Sequence, residues 1–131
     1  MRRIDYIVVH HTGSPTTTTV AEIREWHLAR GFRDIGYHFV ITGDGMMHMG
    51  RPVDKTGAHV RGKNKHSVGV AVTGNNLVVG QEWSFIQKHI LKLLLSVLVV
   101  MFPDAQIVGH SDLADTDCPG TDFHFNHSTN D

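Results

Sequence analysis

Near its start the chain reads Ile4-Asp5-Tyr6-Ile7-Val8-Val9-His10, an apolar and largely β-branched run. Such a run predicts a buried β-strand, and this strand ends at a histidine. Residues 106–109 predict another short strand, and the residue that follows it is again a histidine, His110. If the two strands are neighbours in one sheet, their ends meet at one edge and bring the two histidines together.

Two helices are predicted from capping boxes, in which a hydroxyl residue is followed three positions later by Glu or Gln. The first helix is expected from about Val20 to Arg30, and the second ends at Pro103, which cannot continue a helix. The capping pairs are Thr19 with Glu22 and Ser84 with Gln87. The expected apolar faces are Val20, Ile23, Trp26, His27 and Ala29 in the first helix, and Ile86, Ile90, Leu93, Leu94, Val97 and Leu98 in the second.

The remaining apolar segments predict three more strands, at 36–42, 46–50 and 67–73, with a hairpin turn at 43–45. Because strands and helices alternate, we expect an α/β (mixed α+β) fold with a central mixed β-sheet of about five strands flanked by helices. A single domain is expected over 1–131, with its core at about 4–122 and a polar tail at 123–131.

Composition excludes several classes of protein. The 131 residues carry 12 Lys plus Arg and 13 Asp plus Glu, so no basic face is expected to bind nucleic acid. One cysteine excludes a disulfide scaffold. The apolar run after the charged start is too short for a signal peptide, and the stretch 90–102, interrupted by Lys92, is too short for a membrane span.

The only cysteine, Cys118, lies eight residues after His110. It is a buried small apolar residue, a nucleophile with a histidine base, or a metal ligand. Two histidines and one cysteine with an open fourth position are typical of a catalytic zinc site, and His10 and His110 supply the two histidines. His11 is expected to turn to the other face of its strand or to support the site from outside. His27 and His89 are expected to be packing or surface residues, and His124 and His127 lie in the tail without an obvious partner.

Ordered motifs along the chain resemble the zinc-dependent N-acetylmuramoyl-L-alanine amidases of the phage lysozyme and peptidoglycan-recognition-protein type (type-2 amidases). The likeness runs from about Ile4 to Asp122. The motifs are Val8-Val9-His10-His11-Thr12, Glu25-Trp26-His27, Gly31-Phe32, Asp34-Ile35-Gly36-Tyr37-His38-Phe39, Gly43-Asp44-Gly45, Gly50-Arg51-Pro52, Gly57-Ala58-His59, Asn64 with Ser67-Val68-Gly69-Val70, Gly109-His110-Ser111-Asp112 and Cys118-Pro119.

The resemblance implies hydrolysis of the amide between N-acetylmuramic acid and L-alanine in peptidoglycan, with Zn²⁺ as the cofactor. It implies His10, His110 and Cys118 as the metal ligands, and Tyr37 and Thr116 as catalytic residues. It places His59, Arg61 and Asn64 in the groove that binds muramyl peptides. For such an endolysin we expect a monomer that is made in the cytoplasm without a signal peptide and acts on the cell wall after release or lysis.

Three questions stay open at this point: the role of Thr116, the role of the basic residues around Arg61, and whether the protein is catalytic. Thr116 stands where the phage enzymes tend to carry lysine, although catalytically active animal members also have threonine there. The basic residues around Arg61 suit the carboxylates of a stem peptide, but they equally fit a solvated loop. A peptidoglycan-binding module without catalysis is the alternative function, and retention of Cys118 with both histidines speaks against it.

Overall fold

The computed structural model describes residues 2–123, so His124 and His127 lie outside the described residues. It contains five strands and two helices of more than one turn, and two short 3₁₀ turns. The strands are β1 (Tyr6–His11), β2 (Phe39–Ile41), β3 (Met47–Met49), β4 (Ser67–Val72) and β5 (Gln106–Gly109). The helices are α1 (Val20–Ala29) and α2 (Phe85–Met101), and the 3₁₀ turns are Asn64–His66 and His110–Asp112.

All five strands belong to one mixed sheet in the order β3-β2-β4-β1-β5. The pairs β2–β4, β4–β1 and β1–β5 are parallel, and only the hairpin pair β2–β3 is antiparallel. The expected fold class is therefore confirmed. Val9 is paired with Gly109, so the next residues of the two strands, His10 and His110, emerge at the same edge of the sheet.

The strand β2 begins at Phe39, three residues later than the sequence predicts. The backbone before it bonds outside the sheet: the Gly36 N–H donates to Nδ1 of His27 at 2.8 Å, and the Gly36 carbonyl accepts from Ala58 at 3.0 Å. Local apolar pattern does not reveal such long-range partners. The consequence is that Tyr37 lies on an irregular segment beside α1 and not in the middle of a strand.

Each face of the sheet carries its own apolar cluster because side chains alternate along a strand. The larger cluster joins α2 to residues such as Ile7, Val9 and Val70, and it includes Phe123, the last described residue. The smaller cluster lies under α1 and contains Ile23, Ile35 and Val40. His10 is on the same face as this smaller cluster, so one face of the sheet carries both α1 and the candidate site.

The predicted apolar face of α2 is wrong in part. Of its six residues only Leu94 and Leu98 are buried, whereas Ile86, Leu93 and Val97 are 43%, 51% and 56% exposed. The buried residues of this helix are Gln87, Leu91, Leu94, Leu95 and Leu98. Apolar side chains occur on nearly every side of α2, so periodicity alone does not select the face. Neither helix among the described residues is long and apolar enough to cross a membrane.

The predicted face of α1 also needs correction. Ile23 and His27 are buried, but Trp26 is 44% exposed and Ala29 is exposed as well. The predicted capping box is present, with Thr19 accepting from the N–H of Glu22, and Gly31 after the helix has φ +91°. The helix limits are local properties and follow from the sequence, whereas the buried face depends on how the helix meets the sheet.

Candidate metal centre and active site

Three side chains that can bind a metal converge at the edge of the sheet. His10 is at the end of β1, His110 directly follows β5, and Cys118 lies on the next loop, whose backbone returns through a 2.7 Å hydrogen bond from Ser111 to the Cys118 carbonyl. The candidate ligand atoms of the three residues all lie within 4.8 Å of one another. The distance from His10 Nδ1 to Cys118 Sγ is 3.9 Å.

Burial sets the protonation of this group in the absence of a metal. It lowers the pKa of His10 well below its ordinary value, an effect that the neighbouring His59 and His110 reinforce. Burial also raises the pKa of the Cys118 thiol to about 11, although a hydrogen bond from the His11 N–H to Sγ, 3.3 Å long, favours the thiolate. The His10 imidazole is thus neutral at pH 7, as a metal-binding histidine must be. The Cys118 thiol, by contrast, keeps its proton at this pH unless a cation binds to it.

A cleft of about 680 Å³ opens over these residues. Its lining includes all eight site residues expected from the sequence, which are His10, Tyr37, His59, Arg61, Asn64, His110, Thr116 and Cys118. It also includes His27, Arg30 and Phe32 from the end of α1 and the turn after it. The Arg30 guanidinium lies 4.9 Å above the centre of the Phe32 ring, which presents a cation at the rim of the cleft.

Tyr37 lies against the candidate metal ligands. Its ring centre is 5.2 Å from that of His10 and 5.3 Å from that of His27. Burial, together with the charge of Cys118, raises the pKa of the Tyr37 hydroxyl above its usual value. The hydroxyl is therefore protonated at neutral pH and is available as a hydrogen-bond donor within the cleft.

The loop 51–66 contributes His59, Arg61 and Asn64 to the cleft, and each is held differently. The Asn64 side-chain oxygen accepts from the backbone N–H groups of His59 and Val60, both at 2.9 Å, so this oxygen braces the loop. Arg61 is exposed. Both His59 ring nitrogens have partners, and burial lowers the pKa of His59 to about 3, which keeps its ring neutral.

The Arg2 guanidinium holds the two ends of this loop together through hydrogen bonds and so acts as a clamp. It donates to the carbonyls of Asn64, Lys65 and Ser67 at 3.1 to 3.3 Å and to that of Val53 at 2.8 Å. The sequence pattern gave no sign of this role, because the contacts span more than 50 residues. The clamp joins both ends of the loop that carries three of the expected site residues.

Thr116 and His11 support the cysteine. The Thr116 hydroxyl oxygen accepts from the Cys118 N–H at 3.3 Å, so it helps to shape the loop while its own O–H lies within the cleft lining. The His11 N–H donates to Cys118 Sγ, while the His11 side chain accepts a hydrogen bond from the Asn76 N–H at 3.1 Å and also lines the cleft.

His27, Arg30 and Phe32 were missed as site residues. His27 was expected to be a packing or surface residue, and it is buried, but its ring also reaches the cleft. Its orientation is set by the hydrogen bond that its Nδ1 accepts from Gly36. One sequence signal could have pointed to these residues. His27 and Arg30 are three positions apart in the predicted helix, so their side chains lie on the same side of it.

Comparison with known proteins agrees with this arrangement. The family model described as N-acetylmuramoyl-L-alanine amidase matches residues 1–121. The endolysin of Klebsiella phage KP32 is 40% identical over 122 residues, which cover 89% of this chain and 81% of the endolysin. Among solved structures, the N-acetylmuramoyl-L-alanine amidase LysC from Clostridium intestinale URNW has a TM-score of 0.84 at 33% identity, covering 92% of this chain and 78% of LysC.

A recognition protein has the same fold. A mutant of Drosophila PGRP-LB in complex with tracheal cytotoxin matches with a TM-score of 0.79 at 28% identity, over 91% of this chain and 76% of that protein. The family match spans nearly the whole chain, and the phage endolysin and the Clostridium amidase match it over most of their own lengths. The chain belongs to the N-acetylmuramoyl-L-alanine amidase family, and its endolysin and amidase relatives support hydrolysis of an amide bond of peptidoglycan.

Proposed function

We propose that this chain hydrolyses the amide between N-acetylmuramic acid and L-alanine with one zinc ion, held by His10, His110 and Cys118. The observation that carries this proposal is the convergence of two imidazoles and one thiol within 4.8 Å at the head of a large cleft. Three protein ligands with a fourth position left open are the pattern of catalytic zinc. No carboxylate belongs to this group, which disfavours magnesium or calcium.

The distance between His10 Nδ1 and Cys118 Sγ fits a single ion. Zinc lies about 2.0 Å from a histidine nitrogen and about 2.3 Å from a cysteine sulfur, so one ion can join atoms up to about 4.3 Å apart. The distance between His10 Nδ1 and Cys118 Sγ is 3.9 Å. When bound, zinc would supply Lewis acidity for the amide carbonyl and lower the pKa of a water ligand.

The protein's own groups stabilise the charge that develops on the carbonyl oxygen. Tyr37 is the donor for that oxygen, since its hydroxyl stays protonated beside His10. Thr116 is the second catalytic residue of the proposal. Its oxygen fixes the Cys118 loop, and its O–H orients water or substrate without acting as a strong acid.

The muramyl peptide is the proposed partner, and the rim of the cleft suits its carboxylates. Arg30 and Arg61 are exposed cations that line the cleft. Guanidinium groups bind carboxylates through paired hydrogen bonds. The Drosophila relative in complex with tracheal cytotoxin supports a groove of this kind. Action on the cell wall as a monomer, after synthesis in the cytoplasm, completes the proposal.

Cleavage of purified peptidoglycan tests the proposal. We expect the parent protein to release stem peptides with a new L-alanine amino group, a chelator to abolish release, and zinc to restore it. Cys118→Ser should bind zinc more weakly and lose activity, whereas His89→Gln, a change at an exposed histidine of α2, should leave both unchanged.

Two results would overturn the mechanism. Full activity after removal of zinc would favour a cysteine nucleophile with a histidine base. Zinc-loaded protein that binds wall fragments without cutting them would favour a recognition module.

A further inference from the structure

The two ring nitrogens of His10 have different surroundings. Nδ1 faces Cys118 Sγ at 3.9 Å, on the side of the candidate metal. Nε2 lies 2.9 Å from Nδ1 of His59, on the buried side. A histidine can present either nitrogen to a metal, and the one it presents depends on what holds the other. The orientation of His10 therefore depends on His59.

The direction of the hydrogen bonds follows from metal binding. A nitrogen that binds a metal carries no proton, so a neutral His10 bound through Nδ1 carries its proton on Nε2. That N–H donates to Nδ1 of His59, and His59 then carries its own proton on Nε2. The His59 Nε2 lies 3.1 Å from the hydroxyl oxygen of Ser67, which accepts it. One assignment of protons satisfies the whole chain from His10 to Ser67.

Two glycines make room for the His59 ring. A Cβ at Gly69 would lie 2.7 Å from His59 Cγ, and a Cβ at Gly57 would lie 3.0 Å from His59 Cδ2. Neither Gly57 nor Gly69 has a positive φ, so backbone conformation does not require glycine at these two positions. Space for the His59 ring is therefore the reason that a larger residue does not fit at Gly69, whereas a Cβ at Gly57 would also lie 2.7 Å from the Gly36 carbonyl oxygen and 2.8 Å from His38 Cε1. The strand β4 and the loop thus contact the ring from two sides.

The neighbours of His59 are fixed as well. The His38 ring packs edge-on against it, at 5.9 Å between ring centres and an angle of 83°. His38 Nδ1 accepts from the Gly69 N–H at 3.0 Å, and its Nε2–H donates to the Lys55 carbonyl at 2.7 Å. The His59 N–H is bound to Asn64. Backbone, ring plane and both ring nitrogens of His59 are thus determined by the fold.

We propose that His59 is a positioning residue for the metal ligand His10, which it holds in the tautomer and rotation that present Nδ1 to zinc. The inference deepens the proposed function and rests on it. It differs from a role in substrate binding, because both His59 nitrogens point to protein partners and leave only ring carbons for the cleft.

Zinc affinity, measured by competition with a chromophoric chelator, tests this role without an activity assay. His59→Leu fills much of the space but removes the acceptor, and loss of such an outer partner weakens metal binding by about 10- to 100-fold. His59→Asn places an amide oxygen near the position of Nδ1 and should restore most of the affinity. The absorption spectrum of the cobalt(II)-loaded protein should change in His59→Leu and resemble the parent spectrum in His59→Asn.

The control is His89→Leu, at an exposed histidine on the opposite side of the sheet, which should change neither quantity. If His59→Leu binds zinc like the parent but binds a muramyl peptide more weakly, His59 is a substrate contact and the proposal fails. Equal losses of zinc affinity and of thermal stability in both His59 variants would show a general structural role and would also overturn it. A parent protein that binds no zinc would instead overturn the proposed function.

Discussion

At the scale of single residues, a change at Tyr37 should affect catalysis without affecting metal binding. Tyr37 lies 5.2 Å from the His10 ring, and its raised pKa keeps the hydroxyl protonated. We expect Tyr37→Phe to lower kcat by about 10²- to 10³-fold, which is the usual effect of losing one donor to an oxyanion. Steady-state cleavage of a muramyl peptide measures kcat, and a zinc titration should show unchanged affinity.

Tyr6→Phe is the matched control for this prediction, because Tyr6 starts β1 and does not line the cleft. It should leave both kcat and KM near the parent values. A Tyr37→Phe variant with parent kcat and a raised KM would contradict the catalytic role and would assign Tyr37 to substrate binding.

Residue identities and spacing left a cluster of His10, His110 and Cys118 as one of three possibilities for the cysteine, and the resemblance to the family implied it. The two histidines lie at the ends of strands that are parallel neighbours, and the three side chains do converge. Residue identities and spacing could not predict how His10 and His59 are joined, since that hydrogen bond connects positions 49 residues apart. Sequence similarity to the family pointed to His59, but as a groove residue. Its contacts to His10 and Ser67 become visible only in three dimensions.

At the scale of elements, α2 shows where local pattern fails. The capping box at Ser84 and the end before Pro103 are local signals, and both agree with the structure. The buried face of α2, by contrast, differs from the predicted one and includes Gln87, a polar residue. The Gln87 side-chain amide donates to the carbonyl of Thr73 at 2.8 Å and to its hydroxyl at 3.1 Å, which compensates for burial.

We expect Gln87→Leu to destabilise the protein even though it adds an apolar side chain to a buried position. The Thr73 carbonyl would lose its donor, and the Ser84 N–H would lose the oxygen that accepts it at 3.0 Å. A buried polar group left without a partner costs about 1–3 kcal/mol. Urea unfolding at pH 7.5 measures the change in the free energy of unfolding.

The control for this change is Leu93→Gln, the reverse exchange on the exposed side of the same helix. Because Leu93 is 51% exposed, its replacement should change the free energy of unfolding by less than about 0.5 kcal/mol. A larger loss in Leu93→Gln than in Gln87→Leu would mean that the buried face of α2 is the one expected from its periodicity.

At the scale of the whole molecule, the sequence predicted a mixed sheet of about five strands but not their order. The chain places β1 between β4 and β5, which come from distant parts of the sequence. Such pairing depends on long-range contacts that no local pattern encodes. Its result is a face of the sheet that buries the rings of His10, His27 and His38, with the partly buried His59 ring packed edge-on against those of His10 and His38.

This concentration of buried histidines makes the stability of the metal-free protein depend on pH. Burial is the main cause that lowers the pKa of His38, and the charges of Arg2 and Arg51 add to it, while the hydrogen bond to Lys55 opposes it. The unfolded chain therefore binds more protons than the folded chain below the ordinary value of 6.5. The contribution of His38 to the free energy of unfolding is therefore fully present above pH 6.5, and it is lost as the pH falls below this value.

We expect the free energy of unfolding of the chelator-treated protein to fall steadily from pH 7.5 to pH 5. His38 contributes a slope of at most about 1.4 kcal/mol per pH unit, until its folded-state pKa is reached. The hydrogen bond from Arg24 lowers the pKa of Asp34 below the ordinary value of 3.8, so the stability that this carboxylate contributes is lost mainly at pH values below this range. Urea unfolding across this range should show a smaller slope in His38→Gln than in the parent, because glutamine does not titrate. Equal slopes in the two proteins would mean that His38 accepts a proton in the folded state as readily as in the unfolded chain.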